Sequence, residues 1–200
     1  MQFPACLRFI FGKDLLWRKP SEAKSVYLTF DDGPVPHITA QVLALLAAEG
    51  VRATFFCVGQ NVEKYPELFA EIKRQGHSVG NHTFNHLKGF RTRTENYLEN
   101  IKKADKLIQS PLFRPPHGQI TWRQIRAVRQ NFRIIMWDII TCDYDRTLSP
   151  AAVLSNVKKY SRNGSIVVFH DSMKAQKNVL AALPAAIRFW KTEGYEFKVL

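Results

Sequence analysis

The sequence predicts an α/β protein in which about seven strand–helix units form a small closed or nearly closed (β/α) barrel. Two observations lead to this prediction. Segments rich in β-branched and aromatic residues alternate along the chain with segments whose apolar residues recur at helical spacing. Several of the helical segments end at a glycine, as helices commonly do. Alternation of this kind is typical of a parallel sheet covered by helices.

The first predicted strand, residues 25–30, has the sequence Ser-Val-Tyr-Leu-Thr-Phe, which is typical of a buried strand. Residues 39–48 carry apolar side chains at helical spacing and precede Gly50, which predicts a helix with a glycine at its end. The apolar run at 53–58 predicts the second strand and includes Cys57, which we expect to be a small core residue.

The next units are shorter but follow the same alternation. Residues 66–74 predict a helix that ends before Gly76, and residues 77–80 predict a short strand. A longer helix is predicted over 94–109, where apolar residues recur along one face. Residues 112–113 form the short strand that precedes a pair of prolines.

The following two units repeat the pattern. Residues 121–130 predict a helix, and the apolar residues at 132–137 predict a strand. Residues 150–160 predict another helix, with Ser149 as its N-cap, because a serine hydroxyl can accept a hydrogen bond from the first helical turn.

The alternation continues to the last residues of the chain. Residues 165–169 are almost entirely apolar and predict a buried strand. A helix over 178–193 is closed by Gly194, and residues 195–199 form the last predicted strand. We find no internal repeat, low-complexity tract or domain linker.

The composition indicates a folded protein with a basic surface. The 200 residues are 46% hydrophobic, which is enough for one core. No segment approaches the roughly 18 consecutive apolar residues that span a bilayer. The net charge of +12 is compatible with an anionic glycan or a peripheral membrane contact. No nucleic-acid-binding motif is present, so we expect no nucleic acid partner.

Residues 1–11 are apolar with a single arginine, and they lack the basic start and small-residue cleavage site of a signal peptide. We therefore expect residues 1–22 to be an N-terminal extension and residues 23–200 to be a single domain. The sequence does not fix the compartment or the oligomeric state. The lack of a clear signal peptide favours a cytoplasmic or membrane-peripheral location over secretion.

Reactive side chains follow the predicted strands, which is where a (β/α) barrel gathers its catalytic residues. These side chains are Asp31 and Asp32, His82 and His86, Arg114, Asp143, and His170 with Asp171. Their placement predicts one active site at the carboxyl ends of the strands.

The strongest local signal is the pair His82 and His86, which we expect on one face of a helical turn. Imidazole nitrogens at this spacing can share one divalent cation such as zinc. The alternative is a pair of surface or capping histidines, because His-x-x-x-His alone is only moderately specific.

The adjacent aspartates Asp31 and Asp32 end the first strand and precede Gly33 and Pro34. Neighbouring side chains of an extended chain point in different directions, so one carboxylate can bind a metal while the other faces the substrate. Two histidines and one carboxylate leave coordination positions open, as in catalytic metal sites. The alternative is a turn-forming aspartate beside a helix cap, which explains one aspartate better than two.

Three further residues are compatible with the same site. His170 follows an apolar strand, although a histidine there can also be bonded to a backbone carbonyl. Asp143 and Arg114 could orient or tune the other groups through charged hydrogen bonds, but each could also belong to an ordinary salt bridge.

Five segments together resemble the motifs of the polysaccharide deacetylases of carbohydrate esterase family 4, which includes chitin, chitooligosaccharide and peptidoglycan deacetylases. In chain order they are Thr29-Phe30-Asp31-Asp32-Gly33-Pro34, His82-Thr83-Phe84-Asn85-His86, Arg114-Pro115-Pro116-His117-Gly118, the segment around Asp143-Tyr144, and Val168-Phe169-His170. The resemblance covers most of the chain and implies a distorted, incomplete (β/α) barrel of the TIM-like type.

The resemblance implies a metal-dependent hydrolase that removes N-acetyl groups from poly- or oligosaccharides containing N-acetylglucosamine, of the chitooligosaccharide or peptidoglycan type. The implied metal ligands are Asp32, His82 and His86. Zinc is the expected metal, and cobalt, nickel or manganese would suit the same ligands. Alternatives are a deacetylase of another amide or of an O-acetyl ester, and a non-catalytic carbohydrate-binding relative.

The resemblance also implies roles for the remaining motif residues. Asp31 would be the general base, oriented by Arg114. His170 would be the general acid, with Asp143 as its partner. The implied substrate contacts are Pro116, His117, Tyr144 and Val168.

Three of these contacts depart from the family pattern. His117 replaces the usual Phe or Tyr, Tyr144 replaces Trp, and Val168 replaces the Leu of the pocket that receives the acetyl methyl group. The changes leave the identity of the substrate open.

Overall fold

The structure, a computed structural model, describes residues 14–200. Nine strands in this range form one sheet, and all of their pairings are parallel. The strands are β1 (Leu15–Leu16), β2 (Ser25–Asp31), β3 (Thr54–Cys57), β4 (Ser78–Asn81), β5 (Leu112–Phe113), β6 (Arg133–Ile135), β7 (Ile139–Ile140), β8 (Ser165–His170) and β9 (Glu196–Phe197). Their order is β1-β6-β5-β4-β3-β2-β8-β7, and β9 pairs with the start of β2.

Helices connect these strands and cover the outer face of the sheet. In the described range they are α1 (Ile38–Ala48), α2 (Gly59–Lys64), α3 (Pro66–Arg74), α4 (Thr94–Ile108), α5 (Trp122–Val128), α6 (Pro150–Tyr160) and α7 (Gln176–Thr192). The serine predicted to cap α6 is confirmed, because the Ser149 hydroxyl accepts a hydrogen bond from the backbone N–H of Ala152. Among residues 14–200, no helix is both long enough and apolar enough to span a bilayer.

The sheet curls into an incomplete barrel. Strands β1 and β7 are its two edges, yet β6, the neighbour of β1, is followed by β7 after only residues 136–138. Because consecutive Cα atoms are about 3.8 Å apart, this short connection keeps the two edges near each other. The predicted α/β fold with an incomplete barrel is confirmed.

Alternation along β2 decides which side chains reach the barrel interior. Val26, Leu28 and Phe30 pack in the core between the sheet and the helices. Tyr27 instead belongs to the cluster inside the barrel. Asp31 lies on the same side of the strand as Tyr27, since side chains two or four residues apart share a face. Its carboxylate therefore lies inside the mouth of the barrel.

Three short elements were not predicted, namely β1, β7 and α2. Strands β1 and β7 have two residues each and helix α2 has six, so none of them is long enough for a clear periodicity. The strand predicted at 132–137 was too long, because the chain leaves β6 after Ile135 to cross to β7. Strand β1 and the buried Trp17 lie within the predicted extension 1–22, so Leu15 and Leu16 of this segment are part of the sheet.

Candidate active site

A cavity of about 890 Å³ opens at the carboxyl ends of strands β2 to β8. Its wall is made by residues at the ends of these strands and in the loops that follow them. The ionisable side chains in the wall are Asp31, Asp32, His82, His86, His117, Tyr144, His170 and Lys174. Of the reactive residues predicted to meet at this end of the barrel, Asp31, Asp32, His82, His86 and His170 line this cavity, whereas Arg114, Asp143 and Asp171 are buried outside its wall.

Asp31 is held by Arg114, which is fully buried below the cavity. Nη1 of Arg114 donates to Oδ1 of Asp31 at 2.6 Å and to the hydroxyl of Thr29 at 2.8 Å. The other guanidinium nitrogens donate to the backbone carbonyls of Ile135 and Met136 at 3.3 and 3.0 Å. Such a set of partners compensates for the burial of the cation.

The surroundings of Arg114 act on its guanidinium charge in opposite ways. Burial lowers the pKa of the guanidinium, whereas the carboxylate of Asp31 opposes this shift. The guanidinium carbon lies 4.0 Å from the ring centre of Phe56, a distance at which a cation is attracted to an aromatic face. The pair Asp31–Arg114 is therefore a buried ion pair placed at the edge of the cavity.

Asp32, His82 and His86 form the candidate metal site. One ligand atom from each lies within 4.8 Å of the others. Nε2 of His86 is 3.2 Å from Oδ1 of Asp32, and Nε2 of His82 is 3.8 Å from the same oxygen. Although burial opposes the shift, the hydrogen bond from His86 and the nearby histidines hold the pKa of Asp32 well below its usual range.

The tautomer of His82 is set by its backbone partner. Its Nδ1 lies 2.8 Å from the carbonyl oxygen of Arg114, which can only accept, so Nδ1 carries the proton. Nε2 then presents its lone pair toward Asp32. Burial lowers the pKa of His82 to about 4, so the ring is neutral at pH 7, the form that binds metals. The three side chains thus offer suitable donors for a divalent cation.

The turn that carries the two histidines is not helical, which corrects the sequence prediction. Residues Thr83 and His86 both have positive φ angles, of 64° and 58°. The turn is instead held by side chains, since the backbone N–H of Thr83 donates to Asn81 and that of Leu87 donates to the Thr83 hydroxyl. The two imidazoles still converge, with ring centres 5.1 Å apart.

His170 ends β8 on the far side of the cavity and is paired with Asp143. Its Nδ1 donates to Oδ1 of Asp143 at 2.7 Å, and its backbone N–H donates to Oδ2 at 2.8 Å. Burial disfavours the imidazolium, but Asp143 and the carboxylates of Asp32 and Asp31 outweigh it and raise the pKa of His170 to about 9. His170 is therefore protonated at neutral pH.

Strand β7 positions Asp143, a step that the sequence did not reveal. Ile139 and Ile140 pair with β8, and Thr141 continues this contact by donating to the carbonyl of Val168. Asp143 follows within two residues and is fully buried. Pairing of β7 with β8 therefore places this carboxylate beside His170.

The predicted substrate contacts divide into two groups. His117 and Tyr144 line the cavity, where the His117 ring lies 4.6 Å from that of His86 and the Tyr144 ring 5.0 Å from that of His170. Burial and the nearby His86 lower the pKa of His117. Pro116 and Val168 are buried and do not line the cavity formed by residues 14–200.

Several cavity residues were missed by the sequence reasoning. They are Val35, Val58, Gln60, Asn61, Asn85, Trp137, Ile140, Ser172, Met173 and Lys174. Asn85 lies within a motif but was assigned no role, and the others lie outside the motifs, in loops, in α2 and in β7. Lys174 is the one Lys or Arg in the wall as far as the described chain shows. Its position after His170 was the only available signal, since loops after barrel strands form the active face.

Comparison with sequence families gives one match relevant to this site. The sequence model of the family described as polysaccharide deacetylase matches residues 18–132. This range includes the segments that carry Asp31, Asp32, His82, His86 and Arg114.

Individual proteins give the same picture. A peptidoglycan-N-acetylglucosamine deacetylase of Bacillus cereus is 34% identical over 90% of this chain and 68% of its own length. A chitooligosaccharide deacetylase of Rhizobium leguminosarum bv. trifolii is 34% identical over 90% of this chain and 92% of its own length. The crystal structure of the Bc1960 peptidoglycan N-acetylglucosamine deacetylase is similar with a TM-score of 0.91 and 30% identity, covering 99% of this chain and 95% of that one.

Proposed function

The chain belongs to the polysaccharide deacetylase family, and on this premise we propose that it hydrolyses N-acetyl groups of N-acetylglucosamine units in a polysaccharide or oligosaccharide. One observation carries the proposal. A single cavity holds a candidate metal site, a carboxylate paired with a buried arginine, and a protonated histidine on the opposite wall. Residues 23–200 would act as one catalytic domain, with β1 completing the edge of the sheet.

Asp32, His82 and His86 would hold a divalent cation, for which zinc is the first candidate. Two imidazoles and one carboxylate are ligands that zinc accepts, and three protein ligands leave further positions open. When bound, such a metal supplies Lewis-acid polarisation of the acetamide carbonyl and a water of lowered pKa.

Asp31 would be the general base. Arg114 occupies Oδ1 of Asp31 and fixes the orientation of the carboxylate, which leaves Oδ2 to accept the proton of the attacking water. The side chain lines the cavity on the same strand end as Asp32, so base and metal ligand act on one small region.

His170 would be the general acid. The hydrogen bond from Nδ1 to Asp143 leaves Nε2–H as the proton that can pass to the leaving amine. The raised pKa keeps this proton in place at neutral pH. Hydrolysis of the amide would release acetate and leave a free amino group on the sugar.

The acetyl methyl group would contact Trp137 and Ile140, two of the apolar residues in the wall. Val168 pairs with Ile140 across β7 and β8 and would support this wall from the neighbouring strand. Pro116, in the backbone turn that carries His117, would shape the opposite side.

Among glycans of this class, we favour one that carries carboxylates, as peptidoglycan does, over neutral chitooligosaccharide. Lys174 in the cavity wall can pair with such a group. The net charge of +12 would attract a polyanionic chain in the same way.

The direct test is acetate release from N-acetylglucosamine oligomers and peptidoglycan fragments by protein stripped of metal and resupplied with zinc or cobalt. We expect release to depend on the metal. Asp31→Asn is the control, because it should retain the metal at Asp32, His82 and His86 and reduce turnover at least about 100-fold. Near-normal turnover in this variant would refute the base assignment, and lack of release from every substrate would refute the deacetylase.

A further inference from the structure

Asp171 follows His170 and is fully buried, yet it takes no part in the chemistry proposed above. Its backbone N–H donates to the carbonyl of Asp31 at 3.2 Å. Its carboxylate oxygen Oδ1 accepts from the backbone N–H of Gly33 at 3.0 Å. These partners belong to the two peptide groups on either side of Asp32. Asp171, in the loop after β8, thus forms hydrogen bonds to the backbone on both sides of the candidate metal ligand Asp32.

The backbone at Asp32 needs such support. Its φ angle is 86°, a left-handed conformation that residues with a side chain rarely adopt. Strained conformations of this kind persist only where surrounding contacts determine them. The carbonyl of Asp32 also accepts from the Asn61 side chain at 2.8 Å. Asp171 and Asn61 together therefore hold both peptide groups that flank Asp32.

The carboxylate of Asp171 is also held by a residue of helix α1. Its Oδ2 accepts from the Thr39 hydroxyl at 2.6 Å, and that hydroxyl accepts from the backbone N–H of Val35 at 2.8 Å. The two hydrogen bonds that link Asp171 to Thr39 and Thr39 to Val35 connect β8 to the loop between β2 and α1. The position of the carboxylate is consequently fixed by α1 as well as by β8.

Gly33 is required by this contact and not by its own conformation. A Cβ atom at this position would lie 1.9 Å from Oδ2 of Asp171 and 2.5 Å from its carboxyl carbon. Any side chain at residue 33 would therefore displace the carboxylate. The glycine after the two aspartates is explained by the close approach of Asp171.

We propose that Asp171 is a positioning residue for metal binding, which holds Asp32 in its left-handed conformation so that the Asp32 carboxylate faces His82 and His86. The inference rests on the proposed metal site but adds a residue outside the ligand set. Asp171 would not touch substrate or metal, and would act through the backbone of the ligand.

The test is the affinity of the whole protein for Zn²⁺, measured by competition with a chelator, together with the visible spectrum of bound Co²⁺. We expect Asp171→Ala to weaken zinc binding at least about 10-fold and to alter the cobalt spectrum, since removal of a group that orients a metal ligand has effects of this size. Asp171→Asn keeps the shape but provides only one oxygen for two donors, and should weaken binding at least about threefold.

Asp138 offers a matched control, since it is another fully buried aspartate that bonds to side chains of neighbouring elements, namely Arg162 and Ser165. Asp138→Ala should lower the melting temperature and leave zinc affinity within about twofold of wild type, so a general loss of stability can be separated from the proposed role.

The outcomes separate the inference from the proposed function. A folded Asp171→Ala protein with zinc affinity within about twofold of wild type would overturn the inference alone. If that variant does not fold, unchanged zinc affinity in Asp171→Asn would overturn it. A wild-type protein that binds no zinc, or binds it equally after His82→Ala, would refute the proposed metal site.

Discussion

Nη1 of Arg114 lies 2.6 Å from Oδ1 of Asp31, and the two buried residues are 83 positions apart in the chain. Because Arg114 also bonds to the carbonyl of Ile135 at the end of β6, it joins β2 to the other side of the barrel through the interior. The same ion pair therefore serves the stability of the barrel and the orientation of the proposed base.

Arg114→Met is expected to lower the free energy of unfolding by about 3–5 kcal/mol, because it leaves Asp31 as a buried charge without its cation. It should also reduce acetate release at least about 100-fold. Urea denaturation and turnover measurements test the two effects separately. Arg114→Lys keeps the positive charge but loses the planar set of guanidinium donors. Its free energy of unfolding and its rate of acetate release should therefore lie between those of wild type and Arg114→Met. Wild-type stability in Arg114→Met would contradict the role of the pair.

The pH dependence of turnover should reflect the raised pKa of His170, about 9. A general acid acts only while protonated, so kcat is expected to fall as pH rises through this value and not near the ordinary histidine pKa. Asp143→Asn removes the charge that most strongly favours the imidazolium. The fall of kcat on the alkaline side of the pH profile should therefore occur about one pH unit or more lower than in wild type.

The matched control for this experiment is Asp145→Asn, because the carboxylate of Asp145 accepts from the backbone N–H and the hydroxyl of Thr147 and lies in the same loop as Asp143. In this control, kcat should fall at the same pH as in wild type. If Asp143→Asn also leaves that pH unchanged, Asp143 does not set the pKa of His170.

Lys174→Ala should raise KM at least about threefold for peptidoglycan fragments and leave KM for neutral N-acetylglucosamine oligomers unchanged, since only the former carry carboxylates. Lys177→Ala is the control, because it removes the same charge three residues further along, outside the cavity wall. Equal effects of Lys174→Ala on both substrates would rule out recognition of the carboxylate.

His77 should make the metal-free protein less stable in mild acid. Burial lowers its pKa to about 4, so the unfolded chain takes up a proton before the folded one does as the pH falls. The stability contributed by the neutral ring is complete above pH 6.5 and is lost between about 6.5 and about 4. The loss could reach about 3 kcal/mol.

His77→Asn provides the comparison, because the amide oxygen can still accept from the backbone N–H of Ala53, as Nδ1 does in the wild type. We expect the free energy of unfolding in this variant to change less between pH 7 and pH 5. Because His82 has a similarly lowered pKa, only the difference between the two proteins measures His77. Identical pH dependence would exclude His77 as the source.

The sequence determined the fold class and indicated side chains that line the cavity, among them Asp31, Asp32 and His170. Alternating strand and helix patterns are local, so they can be recognised without knowledge of the tertiary contacts. The two aspartates at the end of β2 and the spacing of His82 and His86 likewise indicate a metal site. These features depend on residues close in the chain, which is why a pattern can reveal them.

How distant parts of the chain meet was decided by the tertiary structure, even where the family resemblance had implied a partner, as it did for His170 and Asp143. The aspartate next to His170 in the sequence is Asp171, yet the histidine pairs with Asp143, 27 residues away. Alternation directs neighbouring side chains to opposite faces, so His170 reaches the cavity while Asp171 turns toward Thr39 of α1. Only the pairing of β7 with β8 brings Asp143 to the inner face, and a two-residue strand leaves no pattern in the sequence that would predict it.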